Sequence, residues 1–186
     1  VFPLRYGHLK EILEKQHPAG RENIFLVAPA GSEQEMIEIC VRAAQLFQNQ
    51  PCSVWIKIHP ILDCRSLLGQ LERLHVRWPA NFSFQSASLT ELLPRCRAVI
   101  STGSTVLVEA LAFFCVPIHL TPSCMIDLNR LADPSLFLEL EPDDTYNDLV
   151  RKLPDVERRV RQSGRDHVRQ VFDDTGSMKA FLPNHP

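Results

Sequence analysis

Residues 98–112 read AVISTGSTVLVEALA, and this stretch of the sequence decides the expected fold. The first four residues, 98–101, form an apolar run of strand length, and residues 105–114 form an apolar segment of helical length. The small residues 101–105 join the two. A strand that turns directly into an apolar helix is the unit from which parallel sheets are built.

The same strand–helix unit recurs along the chain. The other predicted strands are residues 23–29, 53–58, 82–85, 117–120 and 136–140, and the other predicted helices are residues 33–47, 65–74, 89–95 with Ser88 as N-cap, 145–153 and 156–172, the last two separated by Pro154. The strands are apolar on both faces, as expected when helices cover both sides of a sheet. The sequence therefore predicts an α/β fold, a Rossmann-like doubly wound parallel sheet of five to six strands with helices on both faces.

The length of 186 residues fits one domain. Hydrophobic residues make up 45% and charged residues 23%, which is the composition of a globular protein and not of a disordered one. We expect a linker at residues 1–22, the Rossmann-like domain at 23–172 and a polar tail at 173–186. Because the chain begins at Val1 and not at Met, we expect it to be a fragment of a longer polypeptide.

Charge and cysteine spacing argue against several classes of function. The formal net charge is -2, so the bulk charge does not attract nucleic acid. No apolar run approaches the roughly 20 residues of a membrane helix, so no transmembrane segment is expected. The cysteines form no Cys-x-x-Cys pair, which predicts no metal site and buried free thiols in a reducing compartment. They are Cys40, Cys52, Cys64, Cys96, Cys115 and Cys124.

The loop at 101–105 is the strongest candidate site. Ligands of open parallel sheets bind at the carboxyl ends of the strands, and this loop follows such an end. Its residues are Ser101, Thr102, Gly103, Ser104 and Thr105. Free N–H groups at a helix start attract anions, and the hydroxyls add donors, which favours phosphate binding. The alternative is that Ser104 or Thr105 only caps the helix.

Glu109 is the single charged residue in the apolar segment after the loop. It lies one helical turn beyond Thr105 and therefore on the same face. A carboxylate in that position can accept hydrogen bonds from a ribose diol. The alternative is that Glu109 caps the helix or faces solvent.

Lys57 and His59 lie at the end of the second predicted strand, before Pro60. Side chains alternate between the two faces of a strand, so Lys57 and His59 are expected on the same face, at the carboxyl end of the strands where ligands bind. Lysine supplies a point charge for phosphate, and histidine can stabilise or protonate a leaving oxygen near neutral pH. The alternative is a purely structural histidine.

Gly31 and Ser32 after the first strand are a weaker version of the same kind of site, in which Gly31 allows close backbone approach and Ser32 caps the next helix. The chain continues Ser-Glu-Gln-Glu, with no second or third glycine at the spacing of the dinucleotide fingerprint G-x-G-x-x-G, so that motif is not present. The chain also lacks the P-loop motif and the G-x-S-x-G elbow. Nicotinamide dehydrogenases, P-loop hydrolases and α/β-hydrolases are therefore disfavoured.

The sequence from residue 98 to Pro117 resembles the donor-nucleotide domain of two-domain glycosyltransferases of the GT-B fold: a strand, Ser-Thr-Gly-Ser-Thr, Val-Glu-Ala-Leu-Ala, and a proline opening the next strand. Lys57-Ile58-His59-Pro60 is similar to the His-Pro element of bacterial sialyltransferases and capsule Kdo transferases. The resemblance covers about residues 23–120. One departure is that the family usually carries a glycine after the helix, whereas this chain reads Phe113-Phe114-Cys115.

The resemblance implies a nucleotide-sugar-binding domain that transfers a sugar to a surface-carbohydrate acceptor. It implies that residues 101–105 bind the nucleotide phosphate, that Glu109 binds the ribose, and that His59 meets the phosphate, where we expect it to be catalytic. The residues alone add Lys57, Gly31 and Ser32 as phosphate-binding candidates. The expected donor is a CMP- or UDP-linked sugar, and neither a cofactor nor a metal is expected. The acceptor base would come from a missing N-terminal domain, so the isolated chain is expected to be inactive. The expected location is cytoplasmic, with peripheral attachment at the inner membrane face through that missing half.

Two alternatives remain open. An enzyme similar to the UDP-N-acetylglucosamine 2-epimerases shares the hydroxyl loop and the helix glutamate. A non-catalytic nucleotide-binding or scaffold module would keep the fold without the chemistry.

Overall fold

The computed structural model describes residues 9, 11–14, 21–28, 32–102, 105–120 and 133–173. Its strands are β1 Ile24–Val27, β2 Ser53–Ile56, β3 Phe82–Phe84, β4 Ala98–Ser101, β5 Val116–Leu120 and β6 Leu138–Leu140. Its helices are α1 Glu33–Phe47, α2 Cys64–Arg73, α3 Leu89–Leu92, α4 Val106–Ala112 and α5 Tyr146–Asp173, with a 3₁₀ turn at Pro134–Leu136. Gly31, Gly103 and Ser104, as well as the tail beyond residue 173, lie outside the described residues.

The six strands form one parallel sheet in the order β3-β2-β1-β4-β5-β6. Helices lie on both sides of it, so the predicted doubly wound, Rossmann-like fold is confirmed. The chain moves outward from β1 through β2 to β3, then returns to pair β4 with the other side of β1. The direction of winding therefore reverses between β1 and β4, and this is the point where such sheets open a crevice for a ligand.

The strands are apolar because both sheet faces are covered. All four residues of β1 and all four of β4 are buried. Phe25 of β1 packs against Phe47 at the end of α1, with ring centroids 4.7 Å apart, and both rings contact Tyr146 at the start of α5. Burying side chains of this size stabilises the fold by roughly 1.5–3 kcal/mol each.

The chain from Tyr146 to Asp173 is one helix, not the two helices that Pro154 predicts. Proline has no N–H group for the carbonyl of Val150, one turn earlier, and normally kinks or ends a helix. Here the apolar stripe continues through the proline, since Leu149, Leu153 and Val160 are all buried. The packing of that stripe holds the helix together on both sides of Pro154.

Helix α4 ends without the glycine that the resemblance would supply. Phe114 takes the left-handed conformation instead, with φ 55°. The N–H groups of Phe114 and Cys115 donate to the carbonyls of Leu111 and Ala110, at 3.1 and 3.0 Å, which is the Schellman pattern. An aromatic residue in this conformation is strained, because its Cβ approaches the following carbonyl.

Part of the predicted linker contributes to the domain. Residues 9 and 11–14 are helical, and Leu9 and Leu13 are buried in the hydrophobic core. The guanidinium of Arg165 donates to the carbonyls of Ile12 and Leu13, at 3.1 and 3.0 Å, and to that of Ala112 at 3.1 Å. This segment is thereby joined to α4 and α5.

The cysteines for which the structure gives a state are free thiols, as predicted. Cys40, Cys52, Cys96 and Cys115 are buried, whereas Cys64 is exposed. The prediction of burial is wrong for Cys64 because it is the first residue of α2, where the side chain lies outside the core. Cys124 lies outside the described residues.

Candidate functional site

The candidate site lies where the winding of the sheet reverses, between the carboxyl ends of β1 and β4. The N–H of Ala28 donates to the carbonyl of Ile100 at 3.0 Å, so the two strands run side by side up to their last residues. The chain leaves β1 toward the start of α1 and leaves β4 toward the start of α4. Two helix starts are therefore brought to one edge of the sheet.

Ser101, the last residue of β4, is completely buried. Its Oγ has no hydrogen-bond partner within the part of the chain that the structure describes. Leaving a buried hydroxyl unpaired costs roughly 1–3 kcal/mol. A polar group that is kept buried at such a cost, at the ligand edge of the sheet, is a candidate for a functional role.

Thr102 connects the loop after β4 to helix α1. Its hydroxyl donates to the carboxylate Oε1 of Glu35 across 3.2 Å, and only 3% of Thr102 and 6% of Glu35 are exposed. Ser32 caps α1, since its Oγ accepts from the N–H of Glu35 at 3.3 Å. The predicted capping role of Ser32 is thus observed. The hydrogen bond from Thr102 to Glu35 fixes the loop after β4 against α1.

Thr105 does not cap α4 with its side chain. Its backbone carbonyl accepts from the N–H groups of Val108 and Glu109, at 3.1 and 3.0 Å, so helical bonding begins at Thr105 itself. Glu109 is 8% exposed and does not face solvent, which removes the solvent-facing alternative. A nearly buried carboxylate lies one turn into a helix that is otherwise buried and apolar.

Lys57 and His59 follow β2, and β1 separates them from the hydroxyl loop. The ammonium of Lys57 donates to the carbonyl of Ser86 at 2.9 Å, in the loop after β3. Lys57 is therefore directed away from β4. The partly exposed ring of His59 accepts from the N–H of Ile61 through Nδ1 at 3.4 Å. The structure thus places both residues at the predicted edge of the sheet, and the described residues show no hydrogen bond or ion pair from either side chain to residues 101–102 or 105.

Three polar residues near this edge are buried or paired in the structure but do not stand out in the sequence: Glu35, His119 and Glu139. Glu35 follows a capping serine at the usual spacing of a capping box and looks like an ordinary helix start. His119 of β5 is completely buried, is in register with Ser101, and its Nδ1 lies 3.2 Å from Oε1 of Glu139. The signal that could have found His119 is its place as the one polar side chain in the strand Val116–Leu120.

Two cavities, of about 480 and 500 Å³, lie beside α1 and share Arg42, Gln45 and Pro142 in their walls. No predicted site residue lines either of them. Among the described residues, no group of three or more His, Cys, Asp or Glu side chains is arranged to hold a metal ion. Within the same residues, no helix has the length and apolar character needed to cross a membrane.

No protein-family model matches the sequence, and no curated protein matches it in sequence. Solved structures match it in fold. CalG4, the calicheamicin glycosyltransferase, superposes with a TM-score of 0.60 at 21% identity, over 92% of this chain and 45% of its own. A glycosyltransferase from Rickettsia africae ESF-5 gives 0.61 at 12% identity, over 96% and 53%. Anabaena Alr3699/HepE in complex with UDP-glucose gives 0.57 at 10% identity, over 97% and 52%.

These neighbours are GT-B glycosyltransferases, and the chain has the fold of one half of such a protein. It spans about half the length of each neighbour. At these identities the likeness concerns the fold.

Proposed function

We propose that this chain is the donor-binding half of a GT-B glycosyltransferase, which transfers a sugar from a nucleotide sugar to a surface-carbohydrate acceptor. The observation that carries the proposal is that two polar residues are buried beside the point of strand reversal, one at the end of β4 and one in the first turn of α4. The Ser101 hydroxyl has no partner in the described residues, and only 8% of the residue Glu109 is exposed. A nucleotide offers a phosphate oxygen to the first and a ribose diol to the second.

Each residue has a distinct role in the proposed mechanism. The backbone N–H groups of residues 101–105 hold the phosphate, together with the hydroxyls of this loop other than that of Thr102, which donates to Glu35. Gly31 and Ser32 contribute to the same phosphate site. Glu109 accepts hydrogen bonds from the ribose hydroxyls. His59 stabilises the departing phosphate oxygen. Lys57 fixes the loop after β3 through Ser86, and it must leave that carbonyl before it can reach a phosphate.

The fold of the neighbours supports a nucleotide-sugar donor, and one of them is described in complex with UDP-glucose. We further propose that the donor is CMP- or UDP-linked and that no metal or other cofactor is needed. The other half of a GT-B enzyme supplies the base that activates the acceptor. The isolated chain therefore binds nucleotide without turnover, and the enzyme acts in the cytoplasm, at the inner face of the membrane.

Titration of the ¹⁵N-labelled chain with CMP, UDP and GDP tests this function. At least one nucleotide is expected to shift the amide signals of residues 101–105 and 109. A matched variant, Glu109→Gln, is expected to weaken that binding by roughly tenfold, which is the loss of one charge-assisted hydrogen bond. Glu72→Gln, an exposed change on α2, serves as the control.

Two outcomes would contradict the proposal in different ways. An unchanged spectrum with all three nucleotides would favour a scaffold module. Release of UDP from UDP-N-acetylglucosamine by the chain alone, without an acceptor, would favour the epimerase reaction.

A further inference from the structure

Glu35 is used differently from an ordinary residue at a helix start. It is the third residue of α1, and its own N–H donates to the Ser32 hydroxyl, which is the first half of a capping box. Its carboxylate, however, accepts the hydroxyl of Thr102, a residue 67 positions away in the loop after β4. A helix-capping residue thus fixes a second segment of the candidate site.

This arrangement places acidic side chains beside the candidate site. Glu35 and Glu109 are both nearly buried residues, 6% and 8% exposed, on the two helices that start at the point of strand reversal. The cation predicted for the site, Lys57, is directed to Ser86 on the far side of β2. The described residues that contact Thr102 at this edge thus include an acidic side chain, Glu35.

A carboxylate near the phosphate affects the affinity for the donor and for the product differently. In the proposed transfer the acceptor oxygen bonds to the anomeric carbon, and its proton passes to the base of the other half of the enzyme. The bond between the anomeric carbon and the phosphate oxygen breaks, and its electron pair stays on that oxygen. The released nucleotide therefore carries one more negative charge than the donor. A fixed carboxylate nearby opposes that extra charge.

We infer that Glu35 is a specificity-determining residue that weakens binding of the released nucleotide relative to the nucleotide sugar. This inference rests on the proposed function. It concerns charge, whereas a purely structural role of Glu35 would consist of the hydrogen bond to Thr102 alone. A charge effect and a purely structural effect of Glu35 give different results when the Glu35–Thr102 contact is changed from either side.

The test measures the dissociation constants of UDP and UDP-glucose, or of CMP and a CMP-sugar if CMP is the nucleotide that binds. The variants are Glu35→Gln, which keeps an acceptor oxygen for Thr102 and removes the charge, and Thr102→Val, which keeps the charge and removes the hydrogen bond. Glu35→Gln is expected to strengthen nucleotide binding roughly three- to tenfold more than nucleotide-sugar binding. Thr102→Val is expected to leave the ratio of the two constants unchanged.

Two further variants serve as a charge control and as a second test of Glu35. Glu38→Gln removes the same charge one turn further along α1 and is expected to leave the ratio as in the unmodified chain. Glu35→Met, a second neutral variant of similar volume, is expected to shift the ratio as Glu35→Gln does, and it replaces that variant if the glutamine prevents folding.

The results separate a failure of the inference about Glu35 from a failure of the proposed function. If the unmodified chain binds nucleotides but the neutral variants leave the ratio unchanged, or if Thr102→Val shifts it equally, the inference about Glu35 is wrong and the proposed function stands. If the unmodified chain binds neither nucleotide nor nucleotide sugar, both are wrong.

Discussion

The guanidinium carbon of Arg165 lies 4.9 Å from the ring centroid of Phe114, the residue with positive φ that closes α4. The contact explains how an aromatic residue holds a position that normally belongs to glycine. Cation–π contact contributes about 0.5–1 kcal/mol, and the left-handed backbone costs about 1–2 kcal/mol. The two effects are of similar size.

The first prediction separates these effects at Phe114. Phe114→Gly and Phe114→Ala both remove the ring, but only glycine relieves the backbone. We expect the glycine variant to be more stable than the alanine variant by about 1 kcal/mol in urea unfolding. The control is Ala112→Gly inside α4, where glycine is expected to be less stable than alanine. An alanine variant equal to or better than the glycine variant would show that Phe114 is not strained.

The second prediction concerns Ser101. Because its buried hydroxyl has no partner in the described structure, Ser101→Ala is expected to stabilise the nucleotide-free chain by about 1 kcal/mol. The same change is expected to weaken nucleotide binding. Thermal unfolding and the amide titration measure the two effects. Ser83→Ala, an exposed change, should alter neither, and a loss of stability in Ser101→Ala would mean that the hydroxyl is paired in solution.

The third prediction follows from the buried thiols. Burial raises the pKa of Cys40 and of Cys96 to about 12, and it raises the pKa of Cys115. In the unfolded chain such thiols ionise near pH 8.5, so above that pH the unfolded state loses protons that the folded state keeps. The free energy of unfolding is therefore expected to be constant with respect to these groups below pH 8 and to fall from about pH 9 toward pH 12.

The same burial predicts which thiol reacts. Iodoacetamide at pH 8 is expected to modify the exposed Cys64 well before Cys40, Cys96 or Cys115, as followed by peptide mass spectrometry. A Cys64→Ser variant should leave those three unmodified in the folded chain. Rapid labelling of Cys115 in native conditions would contradict its position in the core.

The fourth prediction concerns the proline inside α5. Pro154→Ala supplies the missing N–H in an exposed position of the helix and is expected to stabilise the chain by about 1–3 kcal/mol. Pro134→Ala is the matched control, because that proline opens the 3₁₀ turn, where proline is favoured. No gain from Pro154→Ala would indicate that the helix is already distorted to suit the proline.

The sheet could be predicted from the sequence because each strand is a short apolar run next to a helical segment. That pattern identified the strand Ala98–Ser101 and, two residues too long at its end, the strand Ser53–Ile56. It could not predict the continuous α5, since the local effect of Pro154 is outweighed by packing on either side. The sequence pattern also could not predict where side chains point. It places Lys57 at the edge of the sheet where the structure has it, but the hydrogen bond to the carbonyl of Ser86 determines where the ammonium lies.

The buried polar residues were missed for a related reason. Glu35 and His119 take their importance from partners that are distant in sequence or on neighbouring strands, namely Thr102 and Glu139. Local spacing carries no information about such pairs. Only the register of β4, β5 and β6 brings Ser101, His119 and Glu139 into one row.

Arg165 and Leu13 are joined by a hydrogen bond across 152 residues of chain. A contact of such long range can form only after the stretch of chain between the two has left the ribosome, and closing so large a loop is slow. Until then Leu9 and Leu13, which end in the core, have no apolar surface from α5 to pack against. Synthesis therefore passes through a stage in which the segment of Leu9 and Leu13 lacks its partner Arg165 and is exposed to aggregation, and the emergence of α5 ends that exposure.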